Sequence, residues 1–131
     1  MKRNEHGGAA VETALILPYI ILIMIAIAEF GNYFLTSYRF QQAVFTGARS
    51  GSIAQVNKAQ VARNETVRML RDMGIQEEHI PQIDVDSTLT GPVDGKTVVR
   101  VSIDSPHEPL IGIAGIMLPE RVTATASEVN F

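Results

Sequence analysis

The chain has 131 residues, of which 46% are hydrophobic and 19% charged, with a formal net charge of −3 and neither cysteine nor tryptophan. The missing cysteine excludes a disulfide framework and a thiolate metal site. The charge is uneven: residues 39–71 hold six basic side chains and one acidic (Glu65), residues 72–131 ten acidic and three basic. No aromatic residue interleaves with the basic side chains from Arg49 to Arg71, so nucleic acid is not an expected partner. The basic part reads as a solvated face, or as one complementary to the acidic half of a neighbouring copy.

Residues 1–6, Met-Lys-Arg-Asn-Glu-His, are short, polar and mildly basic and stand directly before an apolar run. Between Glu12 and Glu29 lie 16 residues without charge, and a helix from Ala9 to Ala28 would be 20 residues long with one carboxylate. At 1.5 Å per residue that is about 30 Å, the thickness of a bilayer core. A charge there is costly, about 2.5–3.5 kcal/mol near the centre and less near an end, so Glu12 is either tolerated by snorkelling or functional. Pro18 should kink or locally melt the helix. Glu29 marks the far interface, with Tyr33 and Tyr38 beyond it as an aromatic belt. Past Ala28 the chain continues Glu-Phe-Gly-Asn-Tyr-Phe, with no A-x-A-like site after the apolar run. The small pair Gly7-Gly8 precedes the apolar run instead, and cleavage there would remove only the leader.

Gly7-Gly8-Ala9-Ala10-Val11-Glu12 before an apolar helix resembles the type IV prepilin signal. The longer pattern, Ala9 to Pro18, Glu29-Phe30-Gly31, Gln41-Gln42-Ala43 and Gly47-Ala48-Arg49, resembles the TadE-like pseudopilins of the tight-adherence (Flp) type IVb pilus system. Thr13 departs from it, standing where that family usually has an aromatic residue. The resemblance implies cleavage after Gly7 by a prepilin peptidase, a membrane aspartate protease, with Gly8 as the new terminus and Glu12 fifth in the mature chain. Further implied partners are other pilins or pseudopilins, the inner-membrane assembly platform and membrane lipid. Residues 1–7 would be a cytoplasmic leader, 8–35 a single-pass transmembrane helix and 36–131 a periplasmic domain.

The pattern from Phe30 to Gly47 continues helically out of the membrane. Ala43, Gly47 and Gly51 stand four apart, a row that permits close helix contact, although Gly47 and Ser50-Gly51-Ser52 equally fit a weakened or broken helix. Ser52-Ile53-Ala54-Gln55 fits a capping box for a second helix. Val56, Ala59, Ala62, Val67, Leu70 and Met73 supply its apolar stripe and Gly74 its C-terminal cap, and its apolar face should bury against a sheet. Three alternating segments predict strands: Ile83 and Val85; Val99, Val101 and Ile103; Val122, Ala124 and Ala126. Gly91-Pro92-Val93-Asp94-Gly95 joins the first two as a hairpin. The run from Leu110 to Leu118 is apolar but too short to span a bilayer; it reads as core or partner contact in preference to membrane contact. The expected fold is α+β: a transmembrane helix continuing into an amphipathic helix on a small antiparallel sheet of about three strands, similar to the pilins.

No catalytic, metal or cofactor site is indicated. His6, His79 and His107 form no H-x-x-x-H pair, and there is no G-x-S-x-G or phosphate-binding glycine loop. Asp84, Asp86 and Asp94 fail the calcium-loop spacing and read as solvated, Asn64-Glu65-Thr66 as an incidental sequon inside a helix, and Glu108 between two prolines as a turn. A non-enzymatic minor pseudopilin serving pilus assembly and surface adhesion is the expectation. An uncleaved single-pass anchor with an extracytoplasmic partner-binding domain is the alternative, and a small membrane-tethered hydrolase a third.

Overall fold

The computed structural model of the protein describes residues 6–75, 84–93, 96–107, 109–110 and 118–129. Residues 1–5 of the expected leader (1–7), His79, Ile83, the Asp94-Gly95 tip of the hairpin, Glu108 and residues 111–117 of the apolar run lie outside the described residues. The elements are α1 (His6–Ile53), α2 (Lys58–Asp72), β1 (Asp84–Val93), β2 (Lys96–Pro106) and β3 (Arg121–Val129). The fold is α+β: a long apolar N-terminal helix, a second helix and one antiparallel sheet in the order β1-β2-β3.

Helix α1 has 48 residues, about 72 Å at 1.5 Å per residue. Up to Ala28 its described side chains are exposed, apart from half-buried Ile25. This part is long and apolar enough to cross a membrane, with a mean hydropathy of 2.4 and no residue of that window buried. Contrary to the expected local melting, α1 is unbroken at Pro18. Proline removes one N–H from the ladder, and the apolar helix formers on either side propagate the helix across that single loss.

From Glu29 onward one face of α1 turns inward. Phe40, Ala43, Val44, Gly47, Ala48 and Gly51 are buried at three- and four-residue spacing, the mark of a helix against a core. Gly47 and Gly51 let α2 approach closely. A Cβ on Gly47 would meet the Thr66 hydroxyl and stand 2.7 Å from the Ala62 carbonyl oxygen, and one on Gly51 would stand 2.6 Å from the Ala62 Cβ. Of the two readings of this row, close contact holds, and the contact is with α2 of the same chain. Because both glycines must face α2, α1 continues to Ile53, and the expected capping box at Ser52 does not form. The Ser52 hydroxyl instead donates to the Arg49 carbonyl at 2.8 Å, and Lys58 Nζ donates to the Ser52 carbonyl at 3.3 Å. The turn passes through Asn57 in the left-handed region, φ 52°, and α2 begins at Lys58.

Helix α2 packs chiefly on α1 and also on β1 and β2. It buries Ala62, Thr66 and Leu70, while Val56 stands exposed outside it. The Thr66 hydroxyl is satisfied by donating to the Ala62 carbonyl at 2.8 Å. The C-terminus closes at Gly74, φ +82°: its N–H donates to Arg71 O at 2.9 Å and the Ile75 N–H to Leu70 O at 3.2 Å. This is the six-to-one and five-to-two pair of a Schellman motif, with Ile75 packed on the core.

In the sheet, Leu89 pairs with Val99 and Ile103 with Ala124, so Val99, Val101, Ile103, Val122 and Ala124 share the buried face. Their alternation with polar residues is the one expected. Strand β1 reaches further into the turn than expected, to Val93 opposite Lys96, with Gly91 and Pro92 inside it at a register shift between Thr90 and Val93. An edge strand tolerates proline there because no ladder N–H is needed. The core gathers Phe40, Ala43, Val44 and Ala48 from α1, Ala62 and Leu70 from α2, and the inward residues of β2 and β3. Val99 lies beside Gly51 and His107 against Tyr33, so β2 descends alongside α1 and the β2–β3 connection lies at the end nearer the apolar segment.

Gly47→Ala should therefore destabilise the domain although alanine is the better helix former by about 1 kcal/mol. The overpacking cost is about 1–3 kcal/mol, read as a lower melting temperature. Gly31→Ala, with open space around it, should leave stability equal or higher. Equal melting temperatures for the two variants would contradict the close approach.

Candidate functional site

Two regions of α1 carry groups of functional interest. The first is the N-terminal end. Gly7 and Gly8 lie in the opening turns of α1, and a Cβ on Gly8 would meet nothing within 4 Å. Glu12 lies four residues beyond Gly8, on the same side of the helix, and is exposed among exposed apolar neighbours. Val11, Leu15 and Ile16 are exposed, and among the described residues nothing covers them. Thr13 donates its hydroxyl to the Ala9 carbonyl at 2.9 Å, so its polar group is satisfied within the helix in apolar surroundings. Gly7, Gly8 and Glu12 are thus brought to one bare helix end, and among the described residues no other element approaches them.

The second region is the point where α1 meets the sheet domain. Glu29 is 1% exposed, and its Oε2 accepts a hydrogen bond from the Leu110 N–H at 3.1 Å across 81 residues of sequence. Tyr33, one turn further on, meets the His107 ring edge-on with centroids 5.2 Å apart. His107 Nε2 is closed off from solvent and has no hydrogen-bond partner among the described residues, so the imidazole serves here as a packing surface for Tyr33. Glu29, expected only as the marker of the far interface, is therefore also a buried acceptor inside the molecule, and Tyr33 a half-buried packing residue. Tyr38 remains exposed. The sequence hides the Glu29 contact because its donor is a backbone N–H, which no side-chain pattern marks.

Elsewhere the described surface offers solvated charges. Arg68 lies 3.6 Å from Glu65 and 3.9 Å from Asp72, and Arg121 lies 2.8 Å from Asp104. Exposed pairs of this kind contribute about 0–1 kcal/mol. An open depression lined by Gln55, Lys58, Gln60, Leu89 and Thr97 contains no acid, base or nucleophile set. Among the described residues no three His, Cys, Asp or Glu side chains gather as metal ligands.

Residues 7–49 match the family model of TadE-like proteins. The matched stretch starts at the glycine pair, contains Glu12 and Glu29, and ends near the C-terminus of α1. No curated protein and no solved structure matches the chain.

The contact between α1 and the sheet domain has a direct test. Glu29→Ala leaves the Leu110 N–H without this acceptor, a loss of about 1–3 kcal/mol for a buried group. Amide exchange at Leu110 should accelerate and the melting temperature should fall, with Glu29→Gln closer to the parent because it keeps an oxygen acceptor. Unchanged exchange at Leu110 in Glu29→Ala would contradict the tether.

Proposed function

With a TadE-like segment at residues 7–49 as its premise, we propose that this protein is a minor pseudopilin that serves assembly of a tight-adherence (Flp) type IV pilus and, through it, surface adhesion. The observation that carries the reading is the bare apolar half of α1, in which Glu12 is the single charge between Gly8 and Ala28. That half is held in the inner membrane with the N-terminus in the cytoplasm, and the sheet domain lies on the periplasmic side. A prepilin peptidase cuts between Gly7 and Gly8.

The chemistry that follows is electrostatic. Cleavage leaves a cationic amine on Gly8, one turn from Glu12, at a helix N-terminus where a carboxylate is favoured. Opposite charges in lipid are tolerated when paired. When helices of several subunits pack side by side with an axial offset, the amine of one meets Glu12 of its neighbour, and an unpaired carboxylate favours adding a subunit. The work is packing, without catalysis or cofactor, and the partners are the peptidase, other pilins or pseudopilins, the assembly platform and lipid. The second reading is an uncleaved anchor with a partner-binding outer domain, favoured by a helix that already encloses Gly7 and Gly8.

Intact mass of the membrane-extracted protein separates the two. A chain beginning at Gly8 supports processing, and an unprocessed chain in cells with an active prepilin peptidase contradicts it. Glu12→Ala should reduce copurification of other pilus components and reduce piliation. Unchanged recovery together with unchanged piliation would contradict the pairing mechanism while leaving the anchor intact.

A further inference from the structure

The end of the sheet domain nearest the apolar half of α1 carries an exposed apolar residue held at a defined height. The His107 ring packs on Tyr33, and three residues later the Leu110 N–H binds Glu29. Between these two points the chain moves one turn of α1, about 6 Å, toward the apolar segment. Glu29 is the first charged residue after the 16 uncharged ones, so Leu110 stands level with the point where α1 leaves that segment. The neck of the β2–β3 connection is closed by the His107 N–H donating to the Glu120 carbonyl at 2.8 Å. Leu110 is nevertheless 64% exposed, with Pro109 exposed beside it. The sequence from Pro109 to Pro119 contains no charge, although the net charge of the C-terminal half is acidic.

We propose that Leu110 at the base of the sheet domain is a lipid contact, inserting at the boundary between headgroups and acyl chains of the same bilayer that holds α1. The inference rests on the reading of α1 as the membrane anchor. The partner is phospholipid recognised by its apolar boundary layer. Glu108 and Glu120 flank the uncharged stretch, so anionic headgroups add nothing to the attraction and a zwitterionic bilayer suffices. The Glu29 hydrogen bond sets the height of Leu110, so the domain is held to the membrane at two points and its tilt about the end of the anchor is restricted.

The absence of tryptophan makes single-tryptophan variants of the full chain clean depth probes in phosphatidylcholine vesicles. Three exposed positions are compared: Leu110→Trp, Ile20→Trp within the apolar segment, and Leu89→Trp at the far end of the sheet. Leu89 pairs with Val99, which lies beside Gly51, about 33 Å along α1 from Glu29. Ile20→Trp should be quenched most by lipids brominated deep in the acyl chain. Leu110→Trp should show blue-shifted emission and be quenched most by lipids brominated near the headgroup, and Leu89→Trp should be unquenched. Leu110→Trp behaving as Leu89→Trp, while Ile20→Trp is quenched, would overturn the lipid contact and leave the anchor standing. Blue-shifted emission without bromine quenching would overturn it in favour of a protein contact. An unquenched Ile20→Trp would overturn the anchor reading and this inference with it.

Discussion

The backbone hydrogen-bond ladder of α1 runs from His6 to Ile53 through two different surroundings, and every other element takes its position from it. Toward the N-terminus the helix is apolar apart from Glu12 and, among the described residues, is covered by nothing. Past Glu29 the same helix has an inner and an outer face, and the inner face collects β3, β2 and α2. A helix whose side chains are buried by its own domain satisfies its backbone internally, as one in lipid must. The ladder therefore needs no break where the surroundings change.

The core above that point is thin, and its integrity depends on close approach more than on large side chains. Ala43, Ala48 and Ala62 are fully buried, and two glycines bring α2 against the backbone of α1. Small residues give dense packing at short interaxial distance, at the cost of leaving little room for substitution. The Glu29 carboxylate complements this packing by fixing the β2–β3 end of the sheet to the helix. Both features act on the orientation of the sheet domain relative to α1.

Much of this arrangement is legible in residue spacing. The alternation in β2 and β3 identifies the buried face because strand periodicity is two and one face meets the helices. The α2 stripe and Gly74 mark the second helix and its end, because only a left-handed residue lets the Schellman bonds close. What is hidden depends on contacts distant in sequence. Ser52 looks like a helix start, yet Gly47 and Gly51 need α2 beside them and carry α1 past it. Thr66 looks polar but is buried at the helix crossing with its hydroxyl satisfied locally. Glu29 looks like a surface charge and is an acceptor for a backbone N–H 81 residues away. In the candidate site, Gly7, Gly8 and Glu12 stand out because a carboxylate and a glycine pair are conspicuous in an apolar run. The Glu29–Leu110 and Tyr33–His107 contacts use groups that no local pattern distinguishes.

The central claim is that one continuous helix joins the apolar segment to the sheet domain. It is tested most directly by a distance across the junction in phospholipid nanodiscs. The chain has no cysteine, so spin labels on Leu17→Cys and Phe45→Cys, both at exposed positions, report on α1 alone. A continuous helix predicts a single narrow distance distribution near about 42 Å. A broad distribution, or one centred well below that value, would mean that α1 breaks where it leaves the apolar segment, and would contradict the account.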